Sequence, residues 1–140
     1  MKQHLILLRG VPGSGKTTAA ELMYAFDFRF NTALTSADDY MVDEDGNYDY
    51  DITKVGECHM KCQDQVRKLL NDDEYCRVIV HNTFCADWEM DAYYKIAEEI
   101  DDCKVYSMIV ENRHGSKSIH DVPDDKIEMM KTKLMDNIKL

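Results

Sequence analysis

One short stretch near the N-terminus constrains the fold of this chain more than any other feature. Residues 4–9 (HLILLR) form an apolar run of strand length, residues 10–17 read GVPGSGKT, and a helical pattern follows at once. The glycines at 10, 13 and 15 allow the backbone to curl so that several N–H groups point inward, at the positive end of the next helix. The pattern G-x-x-x-x-G-K-T between a strand and a helix therefore predicts a P-loop that binds nucleotide phosphates.

The side chains of this loop complete the predicted phosphate site. Lys16 is expected to reach the β- and γ-phosphates, and the Thr17 hydroxyl is expected to bind Mg²⁺. A nucleotide and Mg²⁺ are therefore the predicted cofactors. The residues expected to contact the nucleotide are Gly10, Pro12, Gly13, Ser14, Gly15, Lys16, Thr17 and Thr18.

Length and charge narrow the class of protein. The length of 140 residues predicts one domain over 1–140. The net charge of −10 argues against non-specific binding to long nucleic acid, because such binding depends on positive charge that contacts many phosphates. A DNA or RNA 5′ end, bound through a local basic surface, stays open as a partner. No apolar run approaches the roughly 18 residues of a membrane span, and the N-terminus does not read as a signal peptide. We therefore expect a cytoplasmic protein (in the host cytoplasm if a phage encodes it) with no membrane partner; the oligomeric state is left open.

Strand and helix patterns alternate along the whole chain. Strands are predicted at 4–9, 32–36, 77–81 and 104–110, and helices at 16–26, 52–71, 87–100 and from 123 onward. The inward faces assigned to these helices include Leu22, Trp88 and Ile138. This order predicts an α/β fold of the P-loop NTPase type, with a parallel sheet of about four strands, helices on both faces and a short lid. Ligands then bind at the carboxyl ends of the strands.

Two aspartates follow the second predicted strand at this edge of the sheet. Asp38 and Asp39 lie about 20 residues after Lys16, where a carboxylate faces the phosphate site. Two roles are open: a general base that accepts a proton from an attacking hydroxyl, or a ligand that holds Mg²⁺ through water. A pair of solvated loop aspartates is the alternative without function.

Other polar residues at the same edge are candidates for contact with the phosphate acceptor. Asn82 and Thr83 follow the third strand, where His81-Asn82 replaces the Walker B aspartate often found there. Tyr40 either stacks on a base or anchors its loop. Cys58-His59-x-x-Cys62 resembles a metal cluster, but its members share one helical turn and fit a core stripe. The candidates for the acceptor side are Asp39, Tyr40, His59, Asn82 and Thr83.

The segment 111–120 is basic for this chain and follows the fourth strand. A cation carried by a mobile lid neutralises the transferring phosphoryl group only when the lid closes. Arg113 and Lys117 are both candidates for this cation and for contact with the nucleotide, and Arg113 is favoured for its planar donor fork. A solvated surface loop is the alternative.

Together these residues resemble a known family. The sequence is similar to the P-loop kinase domains of the bacteriophage-type polynucleotide kinase. It is more closely similar to small AAA-like ATPases related to the kinase part of the NEDD-binding protein 2-like group. The similarity extends from about residue 4 to residue 135 and rests on residues 5–18 (LILLRGVPGSGKTT), 36–40 (SADDY), 56–59 (GECH), 78–83 (VIVHNT), 88–90 (WEM) and 119–123 (IHDVP).

The resemblance implies ATP-dependent phosphorylation of a hydroxyl, in the best-known members the 5′-hydroxyl of a polynucleotide. It implies that Asp38 is the general base. Two positions depart from the pattern: Met41 replaces an arginine that grips the substrate phosphate, and Asn82 replaces an acidic residue. The lid arginine corresponds to either Arg113 or Lys117.

Three hypotheses follow. The first is an ATP-dependent kinase acting on a nucleic-acid 5′-hydroxyl, with Lys16, Asp38 and Arg113 as its catalytic residues. The second, motivated by Met41 and the acidic surface, is a kinase for a nucleoside or another small molecule. The third, motivated by the missing arginine and Walker B aspartate, is a switch or adaptor that binds ATP without useful transfer.

Overall fold

The computed structural model describes residues 2–25, 31–117 and 121–140. Phe26, the predicted end of the first helix, and Ser118, Ile119 and His120 of the basic segment lie outside these residues. The strands are β1 Gln3–Arg9, β2 Thr32–Thr35, β3 Arg77–His81 and β4 Cys103–Ile109, and the α-helices are α1 Lys16–Ala25, α2 Val55–Leu70, α3 Asp91–Glu98 and α4 Asp124–Asp136.

The four strands form one parallel sheet in the order β2-β3-β1-β4. β1 is central because it is apolar on both faces, as expected of a strand covered on each side. Its inward positions alternate: Leu5 and Leu7 face one layer, Ile6 and Leu8 the other. The predicted α/β class and parallel sheet are confirmed.

Helices cover the two faces unequally. α2 and α3 pack on the Leu5 and Leu7 side in the larger core, and α1 packs on the other side through Ala20. This division follows from right-handed crossovers, since the chain moves one way from β1 to β2 and the opposite way afterwards. The predicted P-loop at residues 10–17, called the phosphate loop from here on, therefore emerges from the middle of the sheet, with β3 and β4 on either side.

Three residues assigned to inward helix faces are exposed instead. Leu22 is 54% exposed, Trp88 68% and Ile138 41%. Trp88 lies in a 3₁₀ turn, Asp87–Met90, which changes the helical period before α3 begins and turns the indole outward. Ile138 lies beyond the end of α4. On α1, the small Ala20 takes the buried position and leaves Leu22 beside the open flank near β4.

The structure agrees with the assignment of Cys58 and Cys62 to the buried stripe of a helix. Cys58 and Cys62 are free and buried in the larger core. Among the described residues, no group of three or more His, Cys, Asp or Glu side chains is arranged to hold a metal ion. No helix within the described ranges is both long enough and apolar enough to cross a membrane.

A buried arginine ties the last helix to the end of β1. Arg9 Nε donates to the Phe84 carbonyl at 3.0 Å, and one of its terminal nitrogens donates to the Asn137 carbonyl at 2.9 Å. Leu134 packs against Val11 and Cys85. These contacts hold α4 against the sheet edge that carries the phosphate loop.

Candidate active site

The backbone of residues 10–15 depends on its glycines. Gly13 has φ 80° and Gly15 has φ 101°, in the left-handed region that L side chains rarely adopt. A Cβ on Gly10 would lie 2.5 Å from Ser14 Oγ and 2.9 Å from the Val110 carbonyl oxygen. The tight curl predicted from the sequence therefore leaves no room for a side chain at Gly10 and requires backbone angles at Gly13 and Gly15 that favour glycine.

The loop contains a buried hydroxyl that suits a bound anion. Ser14 is 1% exposed, and its Oγ has no hydrogen-bond partner among the described residues. An unsatisfied buried hydroxyl costs about 1–3 kcal/mol, which an acceptor oxygen would offset. With the amide groups at the start of α1, this orphaned donor fits the phosphate group predicted for the site.

Lys16 occupies a prepared position in the loop. Its Nζ donates to the carbonyls of Gly10 at 2.8 Å and Val11 at 3.1 Å. Burial lowers the pKa of this ammonium to about 8, against the opposing effects of Cys85 and Asp38. A phosphate oxyanion would supply the negative charge that favours the protonated form.

Thr17 is exposed at the first turn of α1 and faces the end of β3. Its Oγ1 lies 3.5 Å from His81 Nδ1. Burial lowers the pKa of His81, the nearby Lys16 lowers it further, and Asp39 and Asp38 oppose the shift. The sequence marked His81 only as a missing aspartate; the register that pairs it with Leu8 brings it beside the phosphate loop.

Asp38 and Asp39 have different positions in the 3₁₀ turn Ala37–Tyr40. Ser36 Oγ accepts from the Asp38 amide at 3.2 Å, and Asp39 Oδ2 accepts from the Ser36 amide at 3.0 Å, which completes a capping box. The Asp39 carboxylate therefore stabilises the turn. The Asp38 carboxylate is exposed and close enough to Lys16 and His81 to favour their charged forms.

Asn82 lies beneath this turn. Its Oδ1 accepts from the Ala37 amide at 2.8 Å and from Ser36 Oγ at 3.4 Å. Its Nδ2 donates to Tyr93 Oη at 3.4 Å and Cys62 Sγ at 3.9 Å. The side chain is buried and connects β3 to the residue preceding Asp38, so it supports the turn from below.

The remaining acceptor-side candidates have different surroundings. Tyr40 is half-buried against the larger core, and this burial raises the pKa of its phenol, as expected of a loop anchor. The Thr83 carbonyl accepts from the Gly10 amide at 3.0 Å and so joins β3 to the phosphate loop. His59 is half-buried on α2.

The basic segment contacts the phosphate loop through residues that the sequence did not single out. Asn112 Nδ2 donates to the Gly13 carbonyl at 3.1 Å, and His114 Nε2 donates to the Ser14 carbonyl at 3.2 Å. The Ser116 amide donates to His114 Nδ1 at 3.0 Å, which fixes the proton of the neutral ring on Nε2. The sequence feature that could have indicated these contacts is the pattern Asn-x-His-Gly at residues 112–115, directly after the fourth strand.

The two predicted lid cations lie outside these contacts. Arg113 is paired with Glu111, its Nε at 2.9 Å and a terminal nitrogen at 2.6 Å from one carboxylate oxygen, and its side chain is 84% exposed. Lys117 is exposed and, with Pro12, lines a cavity of about 620 Å³ between the phosphate loop and α4. Thr18 is exposed on the first turn of α1.

Known proteins resemble this chain in sequence and in fold. The sequence profile of an AAA domain family matches residues 5–134. Human NEDD4-binding protein 2 is 30% identical over 95 residues, which are 68% of this chain and 5% of that protein. The chain thus spans only a small part of that relative.

Two solved structures share the fold. A chain in the Pnkp1/Rnl/Hen1 RNA repair complex superposes with a TM-score of 0.72 at 18% identity, over 96% of this chain and 44% of that one. A mutant form of the APS kinase CysC of Mycobacterium tuberculosis superposes with a TM-score of 0.55 at 13% identity, over 96% of this chain and 98% of that one. The family match over residues 5–134 shows that the chain belongs to the AAA domain family, and the two structures show that it shares the fold of the RNA repair complex chain and of the APS kinase.

Proposed function

We propose that this protein is an ATP-dependent phosphotransferase that moves the γ-phosphate to a hydroxyl, specifically the 5′-hydroxyl of a polynucleotide. The observation that carries the proposal is the convergence of Lys16, Thr17 and the exposed Asp38 at one edge of the sheet. A phosphate-binding cation, a metal-side hydroxyl and a free carboxylate are the groups that phosphoryl transfer requires. The fold shared with an APS kinase supports the same reaction class.

The roles follow from position. Lys16 and the amides of the loop bind the β- and γ-phosphates. Asp38 accepts the proton of the acceptor hydroxyl as its oxygen forms the new bond to the γ-phosphorus. The bond from that phosphorus to the bridging oxygen breaks, which releases ADP. Mg²⁺, when bound, neutralises charge on the phosphate oxygens, and Thr17 Oγ1 is the side chain that would hold it.

Arg113 has to leave Glu111 before it can serve as the lid cation. The pair is exposed, so breaking it costs about 0–1 kcal/mol, which the charge of a bound triphosphate easily supplies. Lys117 is the alternative cation on the same segment. We assign Asp39 and Tyr40 to shaping the turn that carries Asp38, and we propose Thr83 and His59 as further candidates for contact with the acceptor.

A polynucleotide acceptor is supported by the sequence resemblance and by the fold shared with a chain of an RNA repair complex. The position of Met41 motivates the second candidate, a kinase for a nucleoside or another small molecule. Met41 is 4% exposed and packs in the larger core, with its sulfur 3.5 Å from the Asp51 amide and 4.0 Å from Cys58 Sγ. Met41 is therefore not available to bind a phosphate of the acceptor, and other residues would have to bind it.

The test compares acceptors with radiolabelled ATP. The panel contains DNA and RNA oligonucleotides with 5′-hydroxyl ends, the same oligonucleotides with 5′-phosphate ends, and free nucleosides. Label on the 5′-hydroxyl oligonucleotides alone supports the first candidate, and label on nucleosides alone supports the second. Tight ATP binding with no labelled product would contradict transfer and support an ATP-binding switch or adaptor, the third candidate.

The base assignment needs its own variant and a matched control. Asp38→Asn keeps the shape of the side chain and removes the proton acceptor, so turnover should fall by roughly 10²–10⁴-fold. Asp49→Asn removes one exposed carboxylate from the following loop and controls for the change in net charge. Equal turnover in the two variants would contradict the role of Asp38.

We further propose that residues 1–140 act as one domain in the cytoplasm.

A further inference from the structure

The carboxyl end of β3 has an imidazole beside the metal-side hydroxyl. His81 is the last residue of the strand, is paired in register with Leu8, and has Nδ1 3.5 Å from Thr17 Oγ1. Asp38 and Asp39 both lie near enough to act on its charge. His81 Nδ1 is therefore the nitrogen of β3 that would lie beside an ion bound to Thr17 Oγ1.

The distance suits two ligands of one metal ion. In an octahedral complex with bonds of about 2.1 Å, neighbouring ligand atoms lie about 3.0 Å apart and opposite ones about 4.2 Å apart. The observed 3.5 Å is closer to the neighbouring arrangement and needs a shift of about half an ångström. Phosphate oxygens and water would supply the other positions, because no described group of three or more His, Cys, Asp or Glu side chains forms a cage.

The chemistry of the donor decides which ions the site accepts. Mg²⁺ is a hard ion that takes oxygen ligands and gives up water reluctantly. Imidazole nitrogen suits the later divalent ions, and affinity for a nitrogen-containing site rises from Mn²⁺ to Co²⁺. Replacing an oxygen donor by an imidazole therefore weakens the preference for Mg²⁺ and favours transition ions.

We propose that His81 is a nitrogen ligand of the nucleotide-bound divalent ion and biases this site toward Mn²⁺ and Co²⁺ over Mg²⁺. The inference rests on the proposed function only in placing that ion at Thr17. The competing role for His81 is a hydrogen bond that holds the Thr17 hydroxyl, with no bond to metal.

The first experiment uses the full chain with ATP and Mn²⁺. Pulsed electron paramagnetic resonance of the bound Mn²⁺ should show a directly coordinated nitrogen. Labelling the histidines with ¹⁵N should convert that coupling from ¹⁴N to ¹⁵N, which separates the imidazole from the nitrogens of adenine. The His4→Gln variant should keep the signal, since His4 stacks on Tyr106 at the opposite end of β1.

The second experiment measures ATP affinity by calorimetry with each ion in turn. The wild-type protein should bind ATP at least tenfold more tightly with Mn²⁺ or Co²⁺ than with Mg²⁺. His81→Asp should reduce that ratio to about twofold or less. A wild-type preference for Mg²⁺, or Mn²⁺ bound without histidine coupling, would overturn the proposal and leave the hydrogen-bond role.

The two proposals fail in different ways. Histidine coupling in a protein that phosphorylates no acceptor would support the metal assignment and contradict transfer. Transfer by a protein whose bound Mn²⁺ lacks histidine coupling would do the reverse. No ATP binding with any of the three ions would overturn both.

Discussion

The proposed donor side and the proposed acceptor side of the site are built differently. The donor side consists of backbone curled around Gly13 and Gly15, with Lys16 already seated on two carbonyls. On the acceptor side, Arg113 is paired with Glu111 and Met41 is packed in the core. The loop predicted to bind phosphate is therefore already shaped in the folded chain, whereas the proposed role of Arg113 as lid cation requires its side chain to leave Glu111.

Removing the phosphate-binding cation should have the largest effect on the donor side. In Lys16→Ala, turnover should fall by roughly 10²–10³-fold, because the charge that stabilises the transferring phosphoryl group is lost. Steady-state kinetics with the accepted substrate measure the change. Lys61→Ala removes a lysine paired with Glu57 on the surface of α2 and is the control. A similar loss of turnover in Lys16→Ala and Lys61→Ala would contradict the proposed role of Lys16 in binding the phosphates.

The prepared loop geometry can be broken without touching a charge. Alanine at Gly15 would adopt φ 101° under strain and bring a Cβ to 3.2 Å from His114 Nε2. The left-handed conformation costs roughly 1–2 kcal/mol, so nucleotide affinity should fall about tenfold. Calorimetric titration with ATP checks this, and Gly56→Ala, at a position with open space for a Cβ, is the control. Unchanged affinity in Gly15→Ala would mean that the loop is not preformed.

Asn82 joins the two sides, so its removal sharpens the boundary between them. Asn82→Ala leaves the Ala37 amide without its acceptor, which should lower the free energy of unfolding by about 1–3 kcal/mol, while the Tyr93 hydroxyl keeps its bond to Cys62 Sγ at 3.3 Å. Turnover should fall several-fold because the turn bearing Asp38 loses its support, while ATP affinity stays near the wild-type value. Urea unfolding and kinetics measure the two effects. A loss confined to ATP affinity would place Asn82 on the donor side.

The smallest expected effect concerns the lid. Glu111→Gln weakens the hold on Arg113, and an exposed ion pair is worth about 0–1 kcal/mol. Turnover should therefore rise by at most about fivefold, with a larger ratio at low salt. Arg113→Ala should lower turnover and abolish the effect of Glu111→Gln in the double variant. An unchanged response in that double variant would favour Lys117 as the lid cation.

Much of the framework was readable in the chain. The strand at residues 77–81 and the alternation of strands and helices were predicted, because apolar runs and helical periodicity are local features of the sequence. Trp88 was assigned inward wrongly, since a 3₁₀ turn changes the period without leaving a mark in the hydrophobic pattern. The roles of Lys16, Asp38 and Arg113 remain predictions for the variants above.

The sequence by itself determined the phosphate loop, because its glycines, lysine and threonine act within a few residues of one another between one strand and one helix. Only the tertiary structure decided what meets that loop. Asn112 and His114 reach Gly13 and Ser14 across about 100 residues of chain, and His81 reaches Thr17 through the register of β3 on β1. Such contacts follow from strand pairing and helix packing, whose partners are distant in sequence and leave no local pattern.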